Sequence, residues 1–572
     1  MKAFVFLLLF PLFLISSEEE TIRSPETLEK VSPPLEKSAK EIEDPKEKIA
    51  PTLQGIVLTS DEKKTSAAHI RGVKIEDVTI PGREDLLKEK LNAYFDDQPL
   101  TIDKIDSIKK TIICHFRQNN RPLMMIDLPE QDISTGVVVF ILIESKLDKL
   151  KIIGNKWFSD NLIKENIRLK PNKPIELDKV LDDVAWLNKN PFRRSDVLFS
   201  EGDRVNSTNV EIITKDRFPL RLYAGGDGTG TIVTGKKRVF AGLDWGYAFM
   251  CNQILSYMFT SELTSADEFQ AHTAHYTAFL PFRHILTVFG GYAHTDPKIK
   301  DFDGKGYSGQ ASVRYDVPWT PLRQNWLLEG HIGFDYKIIH SNLLFIGIEP
   351  YSSKEHGGIV NVFQIVTGFT GMWDLLEHKV TFNTLLFWSP GRWLPHQKEQ
   401  NFESFRSHAS VDYVYATARL DYLYTYTYFS IALSARAQIA ARTLITSEEM
   451  PFGGYDSVRG YNEREFLADN GMIINLEFRT PTWSPVKSWF FKKSNWQEEL
   501  YFLAFADFGW GKNYYPEFYE DQKAHLFGFG PGVRYNVANH VYLRCDYGIK
   551  IHKTEFGSTA RGKWHLGAMI SF

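Results

Sequence analysis

The chain is 572 residues long, 43% hydrophobic and 24% charged with a net charge of −4, which is enough for two to four domains with cores of their own and excludes global disorder or a collagen-like fibre. Phe (41) outnumbers Gly (39), and with 25 Tyr and 13 Trp the aromatics reach 14%, yet the mean hydropathy is only −0.27; a chain that is polar on average has much aromatic surface to place. The balanced charge argues against a nucleic-acid partner, which calls for a basic face, and Cys114, Cys251 and Cys545 are too scattered for a disulfide framework or a Cys-based zinc site.

Lys2 precedes an apolar run, Ala3 to Ile15, broken only by Pro11, and Ser16-Ser17 lead into Glu18-Glu19-Glu20. This is the layout of a secretory signal peptide over residues 1–17, too short for a spanning helix, which needs roughly 20 residues. The longest later apolar run, Val137 to Ile143, is shorter still, so any membrane insertion has to use β-strands. Residues 18–68 begin with a charged, proline-bearing stretch that cannot bury enough apolar surface to offset its ordering entropy. They are expected to form a linker.

Two small α+β modules follow, over 69–146 and 147–222. In the first, Val73 and Ile75 predict a strand, and Leu87, Leu91, Tyr94 and Phe95 repeat at helical spacing. Thr101 is a candidate N-cap for a second helix carrying Ile105, Ile108, Ile112 and Phe116, before strands at Leu123–Ile126 and Gly136–Ile143. In the second, Leu150 and Ile152 give a strand and Ser159 caps a helix with Leu162, Ile163 and Ile167. Leu177, Val180, Leu181, Val184 and Leu187 form another stripe that Pro191 ends, and strands close the unit near Val197–Phe199 and Val210–Ile213. Both modules read β-α-α-β-β.

Helical periodicity then disappears, and residues 223–572 read as strands. Val541, Leu543, Cys545, Tyr547, Ile549 and Ile551 alternate with Tyr542, Arg544, Asp546, Gly548, Lys550 and His552. A soluble sandwich would hide its apolar faces against each other; a transmembrane antiparallel β-barrel turns them to lipid and lines a wet interior with the polar set. About sixteen strand-like segments fit this length, each with room for the roughly 9–11 residues of a spanning strand. The final residues, Trp564, Leu566, Ala568, Ile570 and Phe572, stay in the alternation to the end, as expected of a last strand that pairs with the first.

Two motifs carry a family resemblance. Gly453-Gly454-Tyr455-Asp456-Ser457-Val458-Arg459-Gly460-Tyr461 resembles the Val-Arg-Gly-(Tyr/Phe) loop motif of the outer-membrane translocator superfamily, and Phe505-Ala506-Asp507-Phe508-Gly509 resembles its Phe-x-Asp-x-Gly strand motif. The two modules resemble POTRA domains. Trp186-Leu187-Asn188-Lys189-Asn190-Pro191-Phe192 is similar to the two-partner secretion branch, the hemolysin activation/secretion translocators.

The resemblance implies a loop at about 441–468 that folds into the pore, with Val458, Arg459, Gly460 and Tyr461 as translocation motif and Phe505, Asp507 and Gly509 as its partner on the wall, Arg459 meeting Asp507. It implies a C-terminal barrel signal in Leu566, Ile570 and Phe572, a candidate plug segment in the linker of residues 18–68, and an outer-membrane pore with periplasmic modules that recognise an exported protein by its unfolded N-terminal segment. The partners implied are that secreted protein, outer-membrane lipid and the barrel assembly machinery for insertion. An assembly factor of the same superfamily is the alternative, and a passive porin a more distant one.

No catalytic constellation is expected, and no cofactor. Gly225–Gly230 lacks the Lys-Ser/Thr of a phosphate loop, Asp301–Gly306 lacks the twelfth-position carboxylate of a calcium loop, and His272 and His275, three apart on a strand, point to opposite faces and cannot share a metal.

Overall fold

Gly55–Thr59, five successive buried residues, form the central strand of the first module, inside the stretch that composition assigns to the charged linker. The computed structural model describes residues 48–572 apart from positions 51, 62–69, 232–233, 297, 300–301, 322–324, 346–357, 491–496, 518–519, 539 and 555–558. The expected signal peptide and the linker up to residue 47 lie outside the described residues. Two compact units meet in sequence at Arg217 and Phe218.

The first unit opens with β1 (Lys48–Ala50), β2 (Gly55–Thr59), β3 (Gly72–Glu76), α1 (Glu84–Asn92), β4 (Leu100–Thr101), α2 (Ile102–Gln118), β5 (Met124–Asp127) and β6 (Val137–Glu144). Its main sheet has the order β3-β2-β6-β5, with β2 parallel to both neighbours. The linker boundary is therefore corrected: β2 belongs to the module. Buried on both faces, it shows a continuous apolar run instead of alternation, the habit of central parallel strands. Ile56 and Leu58 join the core formed with Leu87, Leu91, Ile105, Ile108, Ile112 and Phe116, while Val57 packs on the reverse side with Val137 and Val139. The Thr101 hydroxyl accepts from the Lys104 amide at 3.3 Å and starts α2.

The second module comprises β7 (Lys146–Ile153), α3 (Asp160–Glu165), α4 (Leu177–Leu187), β8 (Arg193–Glu201) and β9 (Ser207–Asp216), with sheet order β7-β9-β8. Ser159 caps α3 by accepting from Leu162 N at 3.3 Å. Ile163, Val180, Val184 and Leu187 pack on Val210 and Ile212.

The second unit is a closed antiparallel barrel. Its strands are β10 (Leu220–Asp227), β11 (Arg238–Trp245), β12 (Gln253–Glu262), β13 (Phe269–Phe279), β14 (Ile285–Thr295), β15 (Lys298–Ile299), β16 (Phe302–Pro318), β17 (Trp326–Phe345), β18 (Ile359–Leu375) and β19 (His378–Trp388). They continue as β20 (Val414–Tyr426), β21 (Phe429–Ala440), a loop hairpin of β22 (Met450–Phe452) and β23 (Phe466–Ala468), then β24 (Asn470–Arg479), β25 (Glu498–Lys512), β26 (Lys523–Val537), β27 (Val541–Lys550) and β28 (Gly562–Ser571). Because β14 pairs directly with β16 and β15 is a two-residue side pairing, the wall has sixteen strands among the described residues. β10 closes on β28 from Tyr223–Ser571 to Asp227–Gly567, and Leu222 and Phe572 exchange backbone hydrogen bonds at 2.8 and 3.0 Å.

On β25 the inward set is Leu503, Phe505, Asp507, Gly509 and Gly511, all buried, and the even-numbered residues between them face out. Outward residues elsewhere are large and apolar, for example Trp326, Ile332, Phe478, Leu543 and Trp564. No helix among the described residues is long and apolar enough to cross a membrane; the strands do so. Truncating the central strand of the first module by Leu58→Ala should cost about 2–5 kcal/mol and speed tryptic cleavage in α1 of the purified protein. Ile153→Ala, at a half-exposed site, should leave the digestion pattern unchanged.

Candidate functional site: a loop bound to the inner wall

Between β21 and β24 the chain turns back into the lumen. The β22–β23 hairpin lays Phe452 and Phe466 against the inner wall, where Gly471 and Gly511 leave room for their rings, and these residues join Val458, Tyr461 and Leu526 in a buried apolar cluster. The loop expected at about 441–468 is thus packed inside the barrel with its own small core.

At its tip Arg459 is 3% exposed and Asp507 0%. The Asp507 carboxylate accepts from Arg459 Nε (2.7 Å), Nη2 (2.8 Å) and backbone N (3.0 Å), and from Asn475 Nδ2 (2.8 Å). Those four donors match the roughly four lone-pair positions of a carboxylate. Arg459 Nη1 reaches Glu477 on β24 at 2.7 Å and Asp546 on β27 at 3.5 Å, and the guanidinium lies 3.6 Å from the centroid of the Phe505 ring. Two of the three residues of the strand motif therefore serve one arginine: Asp507 by charge, Phe505 by its π-face.

The ion pairs form a network. Arg534 pairs with Asp546 at 2.6 Å, Arg544 with Asp546 at 2.9 Å and Asp456 at 3.0 Å, and Arg479 with Glu477 at 2.8 Å. Four guanidiniums thus meet four carboxylates among the described residues, a neutral set that loses its balance if Arg459 is removed.

Glycines set how closely the loop can approach. A Cβ at Gly528 would collide with the Arg459 carbonyl and one at Gly548 with the Gly460 amide, while at Gly509 it would come within 2.9 Å of Val458. Gly460 itself has φ +96°, outside the range of L side chains; its amide donates to His565 Nε2 on β28 at 3.0 Å. The Tyr461 hydroxyl donates to the His552 carbonyl at 2.6 Å and accepts from Phe527 N at 3.1 Å. All four residues of the loop motif touch the wall.

The other expected site residues lie elsewhere. Trp186 Nε1 donates to Asn166 at 3.1 Å, Asn188 exchanges hydrogen bonds with Ser195 at 2.7 and 2.9 Å, and Asn190 Oδ1 accepts from Phe192 N at 3.1 Å. With Leu187 and Phe192 buried and Pro191 between α4 and β8, this motif shapes the exit from a helix. Leu566, Ile570 and Phe572 are exposed on the outer face of the barrel's last strand. Asp227, in the glycine-rich run, accepts from Thr229 N at 2.9 Å and Oγ1 at 2.6 Å and closes a strand-end turn.

A helix that the sequence did not suggest, Glu399–Phe405, lies in the β19–β20 connection. Phe402 and Phe405 pack on Val360, Val362, Tyr413, Tyr415, Leu444 and Ile445, so it fills lumen space beside the loop. Its seven residues are too few to show a periodicity.

Two variants should separate the tip's packing from its charge. Gly528→Ala, which displaces the Arg459 carbonyl, and Arg459→Ala, which leaves the buried carboxylates uncompensated at a cost of about 3–5 kcal/mol, should both raise single-channel conductance. Heat-modifiable migration on gels should stay that of a folded barrel.

Residues 378–535 match the family described as Haemolysin secretion/activation protein ShlB/FhaC/HecB. The chain is 23% identical over 428 residues to the "Heme/hemopexin transporter protein HuxB" of Haemophilus influenzae, covering 73% of this chain and 71% of that protein. It is 19% identical to the "Outer membrane transporter CdiB" of Dickeya dadantii (strain 3937) over 72% of each. The fold is similar to that of CdiB from Escherichia coli (TM-score 0.72, 16% identity, 95% of this chain and 93% of that one) and CdiB from Acinetobacter baumannii (TM-score 0.63, 14% identity, 94% and 93%). The matched segment spans both motifs, from before the Arg459 loop to beyond Asp507. In these motifs, and in a sixteen-strand barrel that follows two α+β modules, the chain is similar to the hemolysin activation/secretion translocators.

Proposed function

We propose that the protein is the outer-membrane pore through which one exported partner protein leaves the cell. The observation that carries this reading is the loop bound by its Val458–Tyr461 motif to the inner wall: Arg459 on Asp507, with glycines shaped to receive it. A passive porin has no use for such an arrangement or for two soluble modules. The partner's unfolded N-terminal segment docks on the periplasmic modules, adding a strand to an exposed sheet edge, then threads the barrel; folding outside biases the transfer forward. Insertion of the pore itself relies on the barrel assembly machinery, with Leu566, Ile570 and Phe572 as its recognition signal. The chain performs no catalysis in this scheme.

Deleting the protein in its host and comparing secreted proteins tests the reading. Loss of one large exported protein, restored by the wild-type chain and not by Arg459→Ala, is the expected outcome. A general loss of outer-membrane barrels would instead assign an assembly role.

A further inference from the structure

The loop has a second attachment to the wall, eleven residues before Arg459. Glu448 is 4% exposed. Its carboxylate accepts from Lys337 Nζ on β17 at 2.7 and 3.0 Å, the Tyr415 hydroxyl on β20 at 2.8 Å, Gln364 Nε2 on β18 at 3.3 Å and the neighbouring Ser447 hydroxyl at 2.8 Å. Gln364 also donates to Asp335 at 3.0 Å, and Asp335 is paired with Arg314 on β16 at 2.7 Å. Three strands of the wall thus converge on one loop carboxylate.

The strand order shows what these two attachments do together. Glu448 is held by β17, β18 and β20 and Arg459 by β24, β25 and β27, and from β18 to β25 is five steps round the ring of sixteen, so the two anchors stand on separate sectors of the wall. Sixteen strands about 4.8 Å apart and tilted about 40° enclose a backbone cylinder roughly 32 Å across. Residues 448–459 reach about 36–40 Å even when fully extended. Tied at both ends, and held between them by Phe452 against Gly471 and Gly511, the segment is a strap over the lumen between those two sectors.

The two ends differ in strength. The Arg459 end has the network of four guanidiniums and four carboxylates, the close glycine contacts and an apolar cluster. The Glu448 end has one ion pair and neutral hydrogen bonds to the wall. Its neighbour Glu449 faces Arg406 at 3.0 Å, but Arg406 belongs to the β19–β20 connection and also holds Asp469 at the root of the loop, at 2.7 Å; that contact ties loop to loop.

We infer that Glu448 is a second positioning residue for translocation: its release from Lys337, with the Arg459 end still bound, swings the strap aside and opens the bore. This rests on the reading of the chain as a translocation pore, but its test does not depend on secretion. Purified full-length protein in planar lipid bilayers is compared as wild type, E448Q, K337E, E448K and the double variant K337E/E448K. The single variants should raise the open probability about tenfold, and the double variant, with the charges exchanged, should return it to near the wild-type value.

An unchanged open probability in E448Q with heat-modifiable migration intact would overturn the inference, as would a double variant as open as the singles. If E448Q fails to fold, recovery of both migration and closure in the double variant decides in favour of the latch, and recovery of migration alone decides against it. E448Q opening the bore of a protein on which no exported protein depends would uphold the latch while removing the translocation reading.

Discussion

The organisation of the lumen depends on the ion pair between Arg459 and Asp507. A charge moved out of water is costly unless it is fully paired, and here each partner is saturated: Asp507 by four donors, Arg459 by three carboxylates and the Phe505 ring. The pair is possible only because β25, β26 and β27 present glycines where the loop arrives. Gly509, Gly528 and Gly548 leave a smooth surface at the depth of Val458, Arg459 and Gly460. Charge and shape thus specify the same loop position, and each would be weaker without the other.

The composition follows from this arrangement. Many of the aromatics that a polar chain had to place, such as Trp326, Phe478 and Trp564, are on the outer face, others such as Phe452, Phe466 and Phe505 pack the loop onto the inner wall, and the charges that lower the mean hydropathy are in the lumen, the loops and the two modules. Arg534, Arg544 and Asp546 are inward residues of β26 and β27, whose outward residues include Phe529 and Leu543. A membrane protein of this kind is hydrophobic along one direction of its wall and almost never along its sequence.

Period-two alternation over ten or more residues identified the barrel, and the inward position of Asp507 followed from counting along β25. The caps at Thr101 and Ser159 were visible because a hydroxyl residue stands just before an apolar stripe. What escaped had no local signal. β2 is a central strand buried on both faces, so its five residues do not alternate and look like the end of the linker. The helix Glu399–Phe405 is too short to repeat. Glu448 is one acid in a polar loop, and its partners Lys337, Gln364 and Tyr415 come from three separate strands; only the closed ring brings them together. The Trp186–Phe192 motif was visible as a family mark, while its hydrogen bonds show a local structural task at the end of α4.

The central claim is that a partner protein passes through the bore, past the strap, and not along the barrel seam or beside the wall. A photo-crosslinking side chain placed in turn at Arg419 on β20, exposed in the lumen opposite Arg436, which donates to the loop residue Asp456, at Tyr223 beside the β10–β28 seam and at Leu543 on the outer face, with an exported protein stalled in transit, tests it most directly. Crosslinks from the Arg419 position and none from the other two are predicted. Crosslinks confined to the seam or the outer face would contradict the account.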